Sequence, residues 1–415
     1  MTASIPAETR TGFVWTVALL SVSVTLFWAA IYYAFATMLP LWEAEEGWDR
    51  TTLTALFAAS VLVSGVAAPR IGRLIDAGHG PVLIASGSAW GVLVLTLAPF
   101  APSLTIFAVL WISLGLSMAT TLYEPVFAMV TRAYDERARR VITIVTLVGA
   151  LAGTLAFPLV HVLGEIGGWR LASWVLAGML AGLAAPLHFF VARRLERLAV
   201  RRNNGRRASQ MDASPKPGSA STSKSIDGRR NLILLTTAFA LAGGSHGLIV
   251  NHILPIMASL RFSEETAVLA ASVIGPMQLL ARLTVLGTEE RLPARFIAVT
   301  SFAALAVSAL CLIGSAALPL LLLGFGLLQG YGYGSISIMR PVLLRESTGM
   351  AAFGERSGQM ARAYIAAVAL APFTGSLLWQ IGGYELALSV CVMACALASV
   401  LTSRLDRHPT RREPS

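Results

Sequence analysis

The amino-acid sequence predicts an all-α membrane protein with twelve transmembrane helices, arranged as two parallel six-helix repeats. Composition, a series of long apolar stretches and an internal repeat carry this prediction. Hydrophobic residues make up 55% of the 415 residues and charged residues only 13%, about half the fraction usual in soluble domains. This is too little charge to cover a soluble surface. The three cysteines are too few for a secreted disulfide scaffold.

Twelve stretches each supply the roughly 20 apolar residues that a helix needs to cross the hydrocarbon core. They are continuous rather than alternating, which predicts helices and not barrel strands. These stretches, named spans 1 to 12, cover residues 13–38, 51–70, 81–100, 103–131, 141–163, 171–192, 231–257, 265–287, 294–316, 318–344, 358–380 and 385–403. Span 1 is longer than the apolar part of a signal peptide, so we expect no cleavage.

The positions of the basic residues predict the orientation. With a cytoplasmic N-terminus, the outer loops contain only Arg50, Arg170 and Arg261, and the other lysines and arginines lie on the inner side. This is the positive-inside pattern, and it predicts a multi-pass protein of a bacterial-type inner membrane with both termini in the cytoplasm. The net charge of +10 then reflects topology, and we expect no nucleic-acid partner.

Composition also divides the chain. We expect an N-terminal six-helix half over 1–192, a basic cytoplasmic linker over 193–230, a C-terminal half over 231–404 and a cytoplasmic tail over 405–415. The linker is rich in arginine, serine and proline and cannot bury a core. We therefore predict that it is largely disordered and touches anionic lipid.

An internal repeat relates the two halves. The segment IGGWRLA at 166–172 matches IGGYELA at 381–387, and Met38-Leu39-Pro40 matches Ile253-Leu254-Pro255, in both cases about 215 residues later. Such agreement in order and position indicates a parallel duplication. Transporters built from two parallel halves bind their substrate near the middle of the membrane and work by alternating access.

With these features the chain resembles the major facilitator superfamily over essentially its whole length. Gly72-Arg73-Leu74-Ile75-Asp76, between spans 2 and 3, is similar to the cytoplasmic loop signature of that family, although Ala77 replaces a usual arginine. The resemblance implies a gating role for Asp76, paired with helix ends and an arginine such as Arg132. Arg73 and its repeat counterpart Arg282 belong to the same predicted gate. The alternative is that Asp76 caps the next helix or is solvated.

The segment YYAFATMLPLWEAEEGWDRTTLTALF resembles the first two helices of the monocarboxylate and oxalate–formate type branch, in which a Gly-Trp pair such as Gly47-Trp48 precedes the second helix. The arginine expected in span 4 of proton-coupled drug exporters is missing, and Trp111 stands before Gly115 instead. The resemblance thus implies a small organic anion, carried with protons. Alternatives are uptake of an aromatic or vitamin-like metabolite and efflux of a drug or toxic compound.

An ionisable group within a span costs about 2.5–3.5 kcal/mol and is a functional candidate, and Glu124 and Arg340 are the clearest instances. Glu124 in span 4 and Arg340 in span 10 hold equivalent places in the repeat, and each precedes a proline. In the family that the chain resembles, helices 1, 4, 7 and 10 line the central cavity. Three hypotheses remain open: an ion pair between the halves when the inside is closed, direct binding of substrate or protons, and pairs within each half, such as Glu124 with Arg132.

Span 7 contains His246 among Gly243, Gly244 and Gly247. Histidine titrates near neutrality and could couple protons, although it could also simply bond to a neighbour. Other candidates on the cavity helices and their neighbours can stack on a solute or bond to it. They are Tyr32, Tyr33, Tyr123, Tyr331, Tyr333, Asn251, Gln278 and Gln329. For the tyrosines the alternative is packing.

No metal-ligand spacing and no catalytic set at one depth occurs in the sequence. We therefore predict a transporter rather than an enzyme, with no cofactor and no metal. The expected partners are a small-molecule substrate, the proton as coupling ion and membrane lipid, and we expect a monomer.

Overall fold

The computed structural model describes residues 10–212, 221–288, 291–350 and 352–406, which contain helices and no strand. All twelve predicted spans lie on these helices, so the predicted fold class is confirmed. The helices are α1 (Arg10–Trp28), α2 (Ala34–Glu46), α3 (Arg50–Asp76), α4 (Gly80–Leu97), α5 (Leu104–Thr121), α6 (Tyr123–Tyr134), α7 (Ala138–Gly149), α8 (Ala152–Met179), α9 (Ala185–Asp212), α10 (Ser221–Asn251), α11 (Ile253–Ser259), α12 (Glu264–Gly287), α13 (Ala294–Gly314), α14 (Leu321–Gly334), α15 (Ile336–Thr348) and α16 (Phe353–Ser403).

Several of these helices continue into one another. Among the described residues, eight continuous helical stretches are long and apolar enough to cross a membrane. Two of them, of 101 and 51 residues, contain more than one predicted span. These two stretches contain five spans, and span 10, divided into α14 and α15 of 14 and 13 residues, is in none of the eight, which accounts for the difference from twelve.

The chain divides into two compact units, Met1–Ser221 and Thr222–Ser415. Each unit has its own apolar core. In the first unit the core includes fully buried Phe27, Trp42 and Trp111. In the second unit it is centred on Ile256 and Phe325.

Two glycine pairs form the same backbone break in the two units. Gly167 and Gly168 have φ/ψ of −155°/26° and 68°/−173° inside α8, and Gly382 and Gly383 have −156°/26° and 70°/−175° inside α16. The second residue of each pair lies in a region with positive φ, which L-residues rarely adopt. The repeated IGG sequence therefore encodes one geometry, used twice, between the last two spans of each unit.

Spans 1, 4 and 10 are among those interrupted where candidate site residues lie. Span 1 contains a π-helical turn, Ala29–Tyr33, between α1 and α2. Span 4 breaks at Leu122, which has an extended backbone with φ −86° and ψ −159°. Pro125 has no N–H to donate to the carbonyl of Thr121, so the regular hydrogen-bond pattern of the helix is interrupted there. Span 10 is interrupted at Ser335, between α14 and α15.

The segment 193–230 differs from the predicted disorder in its described part. Helix α9 continues to Asp212 and α10 begins at Ser221, whereas 213–220 and the tail residues 407–415 lie outside the described residues. Arg202 holds this end of α9 in place because it pairs with Asp135 and donates to the carbonyl of Arg132 at 3.0 Å. These contacts, which composition does not reveal, offset the cost of ordering a polar helix.

Candidate functional site

A chain of ring contacts connects His246 to Arg340 in the second unit. The imidazole of His246 stacks on the ring of Tyr333 with centroids 3.5 Å apart and an angle of 8° between the planes. The hydroxyl of Tyr333 is hydrogen-bonded to that of Tyr364. The guanidinium carbon of Arg340 lies 4.5 Å from the centre of the Tyr364 ring, a cation–π distance. Two residues predicted independently thus belong to one network, named the His–Arg network.

A second set of hydrogen bonds reaches His246 from α13 and α14. The amide nitrogen of Gln329 donates to Nδ1 of His246 at 3.0 Å, and the hydroxyl of Ser308 lies 2.9 Å from the amide oxygen of Gln329. Gln329 is 1% exposed and Ser308 is fully buried. Since Nδ1 accepts a hydrogen bond, the neutral imidazole carries its hydrogen on Nε2.

Glycines allow the helices around this network to approach closely. A Cβ added at Gly243 would lie 2.5 Å from the Tyr364 ring, so this glycine of α10 makes room for that ring of α16. A Cβ at Gly330 would lie 2.4 Å from the carbonyl oxygen of Ile274, and one at Gly334 would lie 2.5 Å from that of Gln278. Contact between α12 and α14 therefore depends on small residues, as is common between membrane helices.

The first unit holds a cluster of aromatic rings around the π-helical turn. The ring of Trp28 lies 4.8 Å from the rings of both Tyr32 and Tyr123, and 6.1 Å from that of Tyr33. Tyr123 also stacks on Phe127, with centroids 5.0 Å apart. The indole Nε1 of Trp28 is buried without a hydrogen-bond partner among the described residues. Three predicted tyrosines are thus brought together.

Glu124 lies beside this cluster, in the first turn of α6, and is half-buried. A carboxylate is favoured at a helix N-terminus because the first N–H groups carry partial positive charge. The break at Leu122 creates this N-terminus within span 4. The hydroxyl of Tyr123, the preceding residue, would lie 2.2 Å from a Cβ at Gly149, so Gly149 provides the space that the hydroxyl occupies.

Three predicted residues are not brought into either group. Tyr331 is 37% exposed and has no ring contact with another described residue. Asn251, the last residue of α10, donates to the carbonyl of Gly247 at 2.7 Å within its own helix. Gln278 contributes its backbone to the contact with Gly334.

The predicted gating residues lie at the ends of α3, α6 and α12. Arg132 forms two hydrogen bonds with the carboxylate of Glu196, at 2.9 and 3.1 Å, and also donates to the carbonyl of Ile75. It therefore bonds to the backbone beside Asp76, the last residue of α3. The next helix begins after His79 without a side-chain cap. Arg73 is exposed in the last turn of α3, and Arg282 is half-buried in α12.

Sequence reasoning missed Glu196 and Tyr364. Glu196 is the only acid in the basic run RRLERLAVRR, and an isolated acid there could have indicated a partner. Tyr364 lies in span 11, whereas candidates were sought mainly on spans 1, 4, 7 and 10. The glycines of span 7 were the available signal, because they predict that a large side chain approaches from another helix.

Solved structures with this fold cover nearly the whole chain. The human organic anion transporter MFSD10 (TETRAN) is 16% identical, with 96% of this chain and 100% of that chain covered and a TM-score of 0.64. The proton:xylose symporter XylE is 10% identical, with 94% and 95% covered and a TM-score of 0.66. A bacterial homologue of the iron transporter ferroportin, in an outward-facing state, is 16% identical, with 94% and 98% covered and a TM-score of 0.64. At these identities the likeness concerns the fold alone.

The family comparison covers more than half of the chain. None of the curated proteins matches it. The profile of the Major Facilitator Superfamily matches residues 17–289, which agrees with the helical fold and with the similarity to transporters of known structure. The chain is therefore an integral, multi-pass membrane protein that works as a secondary transporter rather than an enzyme, and it belongs to the major facilitator superfamily.

Proposed function

We propose that this transporter carries a small organic anion, a carboxylate, together with protons. The observation that carries the proposal is the His–Arg network, which connects a buried cation to a titratable imidazole inside predicted membrane spans. Arg340 is 7% exposed. A buried guanidinium is expensive in a membrane, and its retention indicates a function. The likeness of the segment containing Gly47-Trp48 to the monocarboxylate and oxalate–formate branch supports the same substrate class.

The chemistry of Arg340 supports an anionic substrate. A guanidinium that lies over an aromatic ring keeps its N–H edge in the plane, where it can form two parallel hydrogen bonds with a carboxylate. The ring of Tyr364, 4.5 Å from the guanidinium carbon, would hold the group in such a plane. Lysine would keep the charge but lose this geometry, so Arg340→Lys should bind a carboxylate less well than the parent protein.

The surroundings of His246 can accommodate both protonation states. In the neutral state Gln329 donates to Nδ1, and its amide oxygen faces Ser308. When Nδ1 gains a proton, rotation of the amide by 180° would turn the oxygen of Gln329 towards it. The amide nitrogen would then donate to Ser308, whose hydroxyl already lies 3.1 Å from the carbonyl of Phe325. The contact between Gln329 and Nδ1 of His246 thus pairs a donor with an acceptor in both arrangements, which supports His246 as the coupling site.

Electrostatics couples the two sites in this proposal. A positive charge on His246 and the guanidinium of Arg340 repel each other, and a bound carboxylate offsets this repulsion. Binding of the anion and protonation of His246 therefore favour each other, which is the thermodynamic requirement for cotransport. Glu124, in the other unit, is proposed as a second residue of the transport cycle.

A second candidate substrate is supported by the aromatic cluster of the first unit. Trp28, Tyr32, Tyr33 and Tyr123 present ring faces, and Trp28 has a buried N–H donor without a described partner. These features suit a planar aromatic or vitamin-like solute. The direction of transport, uptake or efflux, is left to the experiment.

For topology we propose an inner-membrane monomer with both termini in the cytoplasm, supported by the distribution of arginines. A reporter that works only in the cytoplasm should be active when it is fused after residue 415. Activity of a reporter that works only in the periplasm would contradict this orientation.

Transport into proteoliposomes, with and without a pH gradient, tests the main proposal. Short carboxylates should compete for uptake, and an inward proton gradient should stimulate it. His246→Gln should remove the stimulation. His161→Gln, which replaces an exposed histidine paired with Glu165 on α8, should retain it. Arg340→Gln should abolish carboxylate uptake. Arg362→Gln replaces an exposed arginine two residues from Tyr364 and should leave uptake unchanged. Competition by planar aromatics alone, with no effect of the gradient, would favour the second candidate.

A further inference from the structure

A cationic cavity lies between the start of α4 and the end of the membrane-spanning part of α9, and none of its lining residues belongs to the His–Arg network or the aromatic cluster. Its volume is about 350 Å³. It is lined by Pro81, Arg193, Glu196, Arg197, Val200 and Arg201. Three arginines and one glutamate thus contribute charge.

The glutamate does not neutralise the arginines of the cavity. The carboxylate of Glu196 forms two short hydrogen bonds with Arg132, on α6. In the part of the chain that the structure describes, Arg197 and Arg201 have no carboxylate partner, and Arg193 lies over the ring of Phe189 at 5.5 Å. The cavity therefore has a surplus of positive charge.

The start of α4 adds to this charge. Pro81 is in the first turn of this helix of 18 residues, and no side chain caps the helix at His79. The N-terminus of a helix carries partial positive charge and attracts anions, phosphate groups in particular. The chemistry of the cavity thus matches a phosphate group held by guanidinium groups and a helix end.

The cavity lies where an apolar surface meets a basic one. Leu183, in the π-helical turn before α9, is 48% exposed, and Phe190 on α9 is 57% exposed. The exposed arginines 193, 197 and 201 continue this face of α9 at helical spacing. On α4, Val82 is 65% exposed and directly follows Pro81. Exposed apolar side chains on a membrane helix face acyl chains, and a change to arginine within one turn marks the headgroup level.

We infer that this cavity binds the phosphate group of an anionic phospholipid, with the acyl chains lying along Phe190 and Val82. The arginines and the start of α4 would bind the headgroup, and the exposed apolar residues would contact the chains. A soluble phosphate would use only the first of these two surfaces. The inference is independent of the transported substrate.

Lipid binding to the full-length protein in detergent, measured by native mass spectrometry, tests the inference. Phosphatidylglycerol should bind tightly, and phosphatidylcholine and inorganic phosphate should bind weakly. The variant Arg193→Gln/Arg197→Gln/Arg201→Gln should lose affinity for phosphatidylglycerol on the order of 100-fold, from about fivefold for each arginine near a membrane surface. The single change Arg197→Gln, at an exposed position, should lose about fivefold and serves if the triple variant does not fold.

A matched control removes the same charge elsewhere. Arg70→Gln/Arg291→Gln/Arg404→Gln changes three exposed arginines outside the cavity and should leave phosphatidylglycerol binding within about twofold of the parent protein. Equal losses in the two triple variants would overturn the inference, because binding would then follow total charge. Equal binding of phosphatidylcholine, or of inorganic phosphate alone, would overturn it as well.

Discussion

Replacing Glu196 by glutamine should destabilise the first unit by breaking its ion pair with Arg132. The side chains are only 17% and 14% exposed for Arg132 and Glu196, so solvent screens the pair weakly. The pair connects α6 to α9, and through the carbonyl of Ile75 it also reaches α3. Glutamine has nearly the same shape as glutamate. The change therefore removes the charge with little loss of packing.

The expected cost follows from these contacts. Removing one partner of a buried ion pair costs about 3–5 kcal/mol, because the other charge stays buried. Arg132 keeps its bond to Ile75, and the amide oxygen of glutamine can still accept one hydrogen bond. We therefore expect a loss at or somewhat below the bottom of this range, about 2–3 kcal/mol. For a unit of this size that corresponds to a decrease in melting temperature of about 5–10 °C.

Thermal unfolding in detergent, followed by tryptophan fluorescence, measures this loss. Glu196→Gln, Arg132→Gln and the double variant form a cycle, and we expect a coupling energy of about 2 kcal/mol. Arg197→Gln is the control, since Arg197 is adjacent in sequence but exposed. If Glu196→Gln unfolds within about 1 °C of the parent protein, or if the two single losses simply add, the pair does not stabilise the first unit.

Three further predictions concern other contacts. Glu46→Gln should lower the free energy of unfolding by less than about 1 kcal/mol, since its partner Arg170 is 43% exposed and exposed pairs contribute little. A melting temperature lowered as far as in Glu196→Gln would contradict this. Gly330→Ala should destabilise the second unit by about 1–3 kcal/mol, because the new Cβ would lie 2.4 Å from the carbonyl oxygen of Ile274. Gly275→Ala should not destabilise it, because the space around Gly275 is open. Glu124→Gln should abolish transport in proteoliposomes at unchanged expression, and full activity would remove its proposed role.

The spans could be predicted because their signal is local and strong. Each depends only on about 20 consecutive apolar residues, and the repeat confirmed their order. The breaks were harder to predict. Pro125 indicates a break in span 4, but the π-helical turn at Ala29–Tyr33 contains no proline and no glycine that could indicate one. It depends on packing around the whole turn, which a single sequence does not display.

The candidate site was predictable in its parts and not in its connections. His246, Gln329, Tyr333 and Arg340 were selected one by one as polar or aromatic residues on expected cavity helices. Their connection needs Tyr364, which lies on another helix, and the amide of Gln329 in one orientation. Tyr331 illustrates the opposite failure. It is two residues from Tyr333 in a glycine-rich run, and the helical turn places it on an exposed surface.

The π-helical turn of span 1 has a consequence for the duplication itself. By the repeat, Ala29–Tyr33 corresponds to residues 244–248 of α10, where the helix is regular and contains His246 between small neighbours. One copy has a wider turn that carries aromatic rings, and the other has an ordinary helical turn that carries an imidazole. The two copies differ at this point in backbone as well as in chemistry. They therefore offer a substrate different chemistry at equivalent positions, aromatic rings in the first unit and an imidazole in the second.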